Sequence, residues 1–414
     1  MNEFLQRIKG VVQWTATSFE EKKRQAAEGA AKFDEAWAEA DRMGLVKTID
    51  EIKPEISGPN AADYYEQMAP IVKALEPNWS EIRLLGHIPS WPPHYRELLE
   101  LVRPILSLAF QAGEIDQCRF DRKYVTQPGT VQPVFSALKA LYAVQLEIRR
   151  PESQNNPELQ MQLFRVASQL LRHIAAEPVQ VGTTMSYVAS NRWFQCASLI
   201  MKIRPESRQQ IGEIVSALPP ERTLRSSLSA DVLRSSHFRG FGEALTSELP
   251  RLRMPQHMIS EMNRLPGLGD WLAAKEIEGY CYSCKHLPAD EAADGEGSKR
   301  ANWEVMEKIL LSKEVLSIPI KWCYLTLPEP SRVKPITVWK EVGAVAAKIR
   351  AHRMVLALAL EVYDRQKTLG RFPEEMSMPL DPVTLQPLFY RGHPDWFCIT
   401  GKSAEFSSGP GPRY

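Results

Sequence analysis

The chain has 414 residues, 44% of them apolar, enough to bury a large core and more than one small domain needs. Lys and Arg total 51 against 50 Asp and Glu, so no field of one sign concentrates phosphates or anionic headgroups, and nucleic acid is set aside as a partner. The longest apolar run, Met354 to Leu360, falls far short of the roughly 18 to 20 residues that span a bilayer, so no transmembrane segment is expected.

The opening stretch MNEFLQRIKGVVQW carries Glu3 and alternates charge with apolar residues, unlike the basic start and unbroken apolar run of an export signal. Residues 1–45 are expected to form one long helix, with Phe33, Trp37, Ala40 and Met43 at helical spacing and Gly44 as its stop. Thr48 to Glu51 has the form of a capping box, and Pro54 limits the short helix it starts. Asn60 is read as the N-cap of a helix whose apolar stripe is Tyr64, Met68, Ile71 and Leu75. A further amphipathic helix runs from about Pro93 to Phe110, with Tyr95, Leu98, Leu99, Val102, Ile105 and Leu106 facing inward. From Val131 to about Glu248, helical runs alternate with breaks at Pro151, Pro157, Pro178, Pro205, Pro219 and Pro220, the pattern of antiparallel helical hairpins without a fixed repeat. Two surface loops are expected, at Leu265 to Trp271 and Pro288 to Lys299, and a joint at Leu327 to Pro335.

The last eighty residues read differently. Trp339, Val342, Val345, Ile349, Leu356, Leu360 and Tyr363 mark one face of a helix that MVLALAL makes apolar nearly all round. Gly370 can end that helix and Pro373 forbids its continuation. Leu388 to Tyr390 and Trp396 to Ile399 are then two short β-forming runs around a turn of Gly392, His393, Pro394 and Asp395, a hairpin able to cover the wide apolar face. The fold class is therefore mainly α: an irregular helical-hairpin bundle over 46–330, after the N-terminal helix of 1–45, with a small α+β C-terminal unit over 331–414 made of a long helix and a β-hairpin.

The segments ALALEVYDRQKTLGRFPEEM, LDPVTLQPLFYR and DWFCI, ending in SSGP, resemble the helix, G-x-(Y/F)-P turn, DP loop and small sheet at the C-terminal end of an uncharacterised family of bacterial proteins, best represented in planctomycetes. That end is itself similar to the globular part of type II secretion pseudopilins. RMGLVKTIDEI and GPNAADYYEQM resemble the N-terminal signature of the same family. The resemblance implies a place at the cell envelope and no known reaction. The chain departs from it twice: no acidic residue follows Glu405, so the calcium-holding carboxylates of some pseudopilin-like ends are lacking, and no apolar anchor opens the sequence, which leaves the compartment open.

Candidate chemistry is sparse. Six cysteines are scattered, and only Cys281 and Cys284 stand at CxxC spacing, with His286 two residues on; they are read as a disulfide, packed thiols, a redox pair or two ligands of a metal whose remaining ligands are not evident. His94 and Glu97 share a helix face, a single copy of a pairing that di-iron bundles use twice. His87, His173, His237, His257, His352 and His393 have no partner spacing. Gly267 to Gly269 lacks the strand and third glycine of a phosphate loop, Asp290 to Gly297 lacks the spacing of a calcium loop, and no G-x-S-x-G elbow is present. The expectation is a non-catalytic scaffold or protein-interaction module with a protein partner and no cofactor. The alternative is an enzyme whose site lies among the helices near the CxxC segment.

Overall fold

A computed structural model describes residues 19–52, 56–85, 95–120, 132–177, 180–219, 228–230, 232–233, 264–265, 267–285 and 335–409. The fold is mainly helical, with one small antiparallel sheet near the C-terminus. His87, His94, His237, His257, His286, Cys323 and the acidic stretch Asp290 to Gly297 lie outside the described residues.

These residues fall into two compact units whose boundaries cross the division expected from the sequence. The first takes the described residues within Met1–Pro54, Arg122–Gly129 and Thr223–Gly343, the second those within Glu55–Asp121, Thr130–Arg222 and Ala344–Tyr414. The C-terminal segment is thus not an appended domain. It shares one continuous core with the helical body, because Val355, Leu356, Val362, Phe397 and Phe406 are buried in the same cluster as Tyr65, Ile105 and Trp193.

In the first unit, α1 (Phe19–Arg42) lies along the helix Gly267–Lys285, more than two hundred residues later in the chain. Phe33, Ala36, Ala40 and Leu45 bury themselves against Ala273, Ala274, Ile277, Cys281 and Cys284. Gly44, with φ 66°, ends α1 as its sequence indicates, and its amide donates to the Asp41 carbonyl at 2.8 Å. The expectation for Leu265 to Trp271 is corrected: Gly267 begins a helix rather than lying in a surface loop, and it meets α1 at a close crossing. A Cβ on Gly267 would stand 2.1 Å from the Ala26 carbonyl oxygen, and one on Gly29 would stand 1.9 Å from that of Gly267. Thr48 and Glu51 form the expected capping box at α2 (Ile49–Ile52), the Thr48 amide donating to the Glu51 carboxylate at 2.7 Å and the Glu51 amide to the Thr48 hydroxyl at 3.2 Å.

The second unit contains α3 (Ala62–Ala74), α4 (Trp79–Leu85), α5 (Tyr95–Gly113), α6 (Gln132–Arg149), α7 (Pro151–Gln154), α8 (Pro157–Ala175), α9 (Gln180–Ile203) and α10 (Arg208–Ser216). Here α6, α8 and α9 pack on one another, with α3 and α5 against α6. Pro151 and Pro157 sit at helix starts, where a missing amide costs nothing. Asn60 is not the N-cap of α3, which is Ala61; its side chain accepts from the Ala62 and Arg119 amides and donates to the Arg119 carbonyl, tying the start of α3 to the chain after α5. The buried stripe of α3 is Tyr65, Met68 and Val72, with Tyr64 and Ile71 at its margin.

The Gly267–Lys285 helix is α11, and α12 (Pro335–Leu369) follows it in chain order among the described residues. Gly370, with φ 70°, ends α12, and its amide donates to the Gln366 carbonyl at 2.9 Å. The sheet that follows is β1 (Phe389–His393), β2 (Trp396–Thr400) and β3 (Glu405–Ser407), in the order β1-β2-β3. The expected hairpin is present, with Gly392 and His393 inside β1 rather than in the turn, and β3 is an addition to it. Its inner face covers α12: Tyr363 meets the rings of Phe372, Phe397 and Phe406 edge-on, at centroid distances of 5.8, 5.1 and 6.2 Å. The covering of this apolar segment is incomplete, since Ala357 is exposed.

Candidate interaction surface

The CxxC segment ends α11 in the first unit. Cys281 and Cys284 are not joined in a disulfide; they stand one helical turn apart, and both are buried against α1. Burial, with Glu39 beside it, pushes the Cys281 thiol up to about 11. The position compounds this, because a helix C-terminus disfavours the negative charge of a thiolate. The neighbouring ion pair of Lys285 with Glu39, at 2.7 Å, shields the helix end without supplying a nucleophile. Among the described residues no group of three His, Cys, Asp or Glu side chains is placed to hold a metal ion.

Two histidines without partner spacing in the sequence turn out to be buried pins in the second unit. His173 on α8 donates from Nε2 to the Ile115 carbonyl at 2.8 Å and accepts at Nδ1 from the Tyr65 hydroxyl at 2.6 Å. Gln169, one turn earlier, donates to the Ile115 and Asp116 carbonyls, so the segment after α5 is held at three bonds. His352 on α12 donates to the Ser403 carbonyl and accepts from the Ser190 hydroxyl, both at 3.2 Å, and stacks on Tyr187 and Phe194 of α9. Burial pushes both imidazoles down to about 4, which keeps them neutral, and neither opens onto solvent. Their partners are carbonyls, hydroxyls and rings, which is the chemistry of fastening rather than of proton transfer to a substrate.

What the second unit does offer outward lies at its C-terminal end. The Asp381 to Gln386 loop is closed by paired backbone bonds, Asp381 amide to Gln386 carbonyl and Leu385 amide to Asp381 carbonyl, each 2.8 Å, and Leu385 takes φ 57° to close it. Leu380 bridges Pro387 in antiparallel fashion. Side chains two residues apart on an extended chain share a face, so Leu380, Pro387 and Phe389 point to the same side. Leu380 is 54% exposed and Phe389 61%. Arg391 and His393 continue that face, Arg391 with its guanidinium 5.6 Å from the Trp396 ring centroid and His393 stacked on the same ring. The opposite face, with Tyr390, Phe397, Ile399 and Phe406, is turned to the core. A second opening, a groove between α10 and the end of α12, is lined by residues that include Gly212, Val215, Leu360, Asp364, Arg365 and Leu369, the last 58% exposed.

The outward face of β1 was hidden in the sequence, where Leu388 to Tyr390 reads as an uninterrupted apolar run. The alternation shows only once the register is set, with Leu388 buried, Phe389 exposed and Tyr390 turned inward. Glu97 lies in the first turn of α5, and its expected partner His94 lies outside the described residues. No helix among the described residues is long and apolar enough to cross a membrane. Comparison with protein-family models, curated proteins and solved structures found no match to this chain.

Proposed function

We propose that this chain is a non-catalytic scaffold or protein-interaction module whose contact surface is its C-terminal helix-and-sheet end. One observation carries the reading. Among the described residues, the three most exposed large apolar side chains, Leu369, Leu380 and Phe389, all lie between the end of α12 and the start of β1, at a part of the fold that is otherwise tightly fastened. An apolar surface on a rigid support is what a protein partner takes up. The kinship with planctomycete-type proteins bearing a pseudopilin-like end, and with it a place at the cell envelope, belongs to the same reading. It is supported by the order of parts: long helix, Gly370 and Pro373 turn, Asp381–Pro382 loop, small sheet. The buried, high-titrating thiol of Cys281 counts against an enzyme centred on the CxxC segment.

The reading is tested with the full-length chain carrying a photoreactive benzoylphenylalanine in place of Leu369 or, separately, of Leu380, expressed in its native host. A discrete protein adduct from either position is the expected result. Absence of an adduct from both overturns the reading.

A further inference from the structure

The free edge of the sheet supports an inference that rests on the interaction reading and names the kind of partner. In the order β1-β2-β3, β1 has a neighbouring strand on one side only among the described residues. Pro394 and Asp395 alone join β1 to β2, and His393 pairs with Trp396 across them. The closing pair of a two-residue hairpin exchanges both backbone hydrogen bonds, and the pattern alternates away from it. His393, Arg391 and Phe389 therefore direct their backbone groups to β2, while Tyr390 and Gly392 direct theirs outward. Leu388, next in the outward series, already donates its amide to the Pro379 carbonyl at 2.9 Å. The chain thus supplies its own edge partner at Leu388; at Tyr390 and Gly392 no described residue hydrogen-bonds the outward backbone groups, the Pro373 carbonyl lying against Gly392 from the inner face, where it accepts the Tyr390 hydroxyl.

We propose that β1 is a strand-addition edge, which takes one extended segment of a protein partner, hydrogen-bonded at Tyr390 and Gly392, with an apolar residue beside Phe389 and a carboxylate beside Arg391. The charges choose this occupant. β1 carries Arg391 and no acidic residue, and Arg391 is exposed and makes no ion pair among the described residues, its guanidinium carbon 5.6 Å from the Trp396 ring centroid. An exposed guanidinium without an ion pair has N–H groups to offer a carboxylate. A second copy of the chain fits worse. Antiparallel self-pairing centred on Tyr390 needs the Leu388 amide, which Pro379 has taken, and self-pairing centred one residue further sets Arg391 against its own copy. Strand addition draws its affinity from backbone bonds and its selectivity from the alternate side chains.

The test uses the full-length chain and an acetylated, amidated octapeptide that alternates Thr with Val and Asp, titrated by fluorescence anisotropy. The acidic peptide binds, and its counterpart with Lys for Asp binds at least about tenfold more weakly. N-methylation of one alternate set of peptide amides abolishes binding and methylation of the other set is tolerated, because only one edge of the added strand faces β1. Arg391→Glu, exposed and free to fold, reverses the preference between the two peptides, and Arg391→Gln removes it. No binding at millimolar peptide, equal loss from both methylation sets, or indifference to Arg391→Glu overturns the proposal. A concentration-dependent dimer that Arg391→Glu abolishes also overturns it, in favour of a second copy. An adduct from the Leu369 position with no peptide binding at β1 sinks strand addition alone and leaves the interaction reading standing.

Discussion

The backbone amide of Lys402 donates to the buried carboxylate of Asp381 at 2.7 Å, joining the loop before β1 to the turn before β3. The other carboxylate oxygen accepts the Val383 amide at 2.8 Å. One side chain therefore fixes both loops that flank the sheet.

Asp381→Ala strands two inward-facing amides and is expected to destabilise the second unit by about 3 kcal/mol, in the range for hydrogen bonds to a charged acceptor. Asp381→Asn keeps one acceptor and opposes the Lys402 amide with its own N–H, so it should cost about 2 kcal/mol. Urea unfolding followed by tryptophan fluorescence measures both, and equal stability of all three chains would remove the pinning role.

His173 and His352, held neutral near 4 by burial, should make stability fall as the solution is acidified. Unfolded, each titrates near 6.5, so between about 6.5 and 4 the unfolded chain binds more protons than the folded one. The stability present above pH 6.5 is lost through that window, by roughly 3 kcal/mol per histidine, and no further loss comes from these groups below it. His173→Gln and His352→Gln should flatten the slope of unfolding free energy against pH. An unchanged slope in the double variant contradicts the assignment.

Gly267→Ala is expected to wedge α11 away from α1, since its Cβ would lie 2.1 Å from the Ala26 carbonyl oxygen. A backbone clash has no flexible atom to yield, and the cost should reach about 3 kcal/mol. Gly212→Ala is the contrast. Its Cβ would meet Leu360 Cδ1 at an ordinary 3.5 Å, so the gain in helix propensity, about 0.5 to 1 kcal/mol, should appear as stabilisation. Thermal melts of the two variants should move in opposite directions.

Cys281, raised to about 11, holds a thiolate fraction near pH 8 that is roughly two orders of magnitude below that of an ordinary cysteine. Iodoacetamide should label it correspondingly slowly in the folded chain, and Gly267→Ala, by opening the same helix pair, should speed it. Labelling at the rate of a free thiol would restore the redox reading.

Much of the secondary structure was legible because it rests on local rules. The capping box of Thr48 and Glu51, the stops at Gly44 and Gly370, and the hairpin around Pro394 each need only residues close in sequence. What escaped depends on distant partners. Asn60 reads as a cap until Arg119 is beside it, His173 as an ordinary helical histidine until Tyr65 and Ile115 meet it, and Gly267 as a loop glycine until Ala26 lies against it.

By itself the sequence determined that this is a helix-rich chain ending in a helix and a hairpin, because periodicity, caps and turn residues act over a few positions. Only the tertiary structure decided that this end shares its core with the helical body, that the CxxC thiols are buried, and that β1 keeps an open edge with Phe389 and Arg391 outward. Burial and register are set by which surfaces meet across long separations, and pairing with β2 alone among the described residues is what directs the backbone groups of Tyr390 and Gly392 away from the sheet.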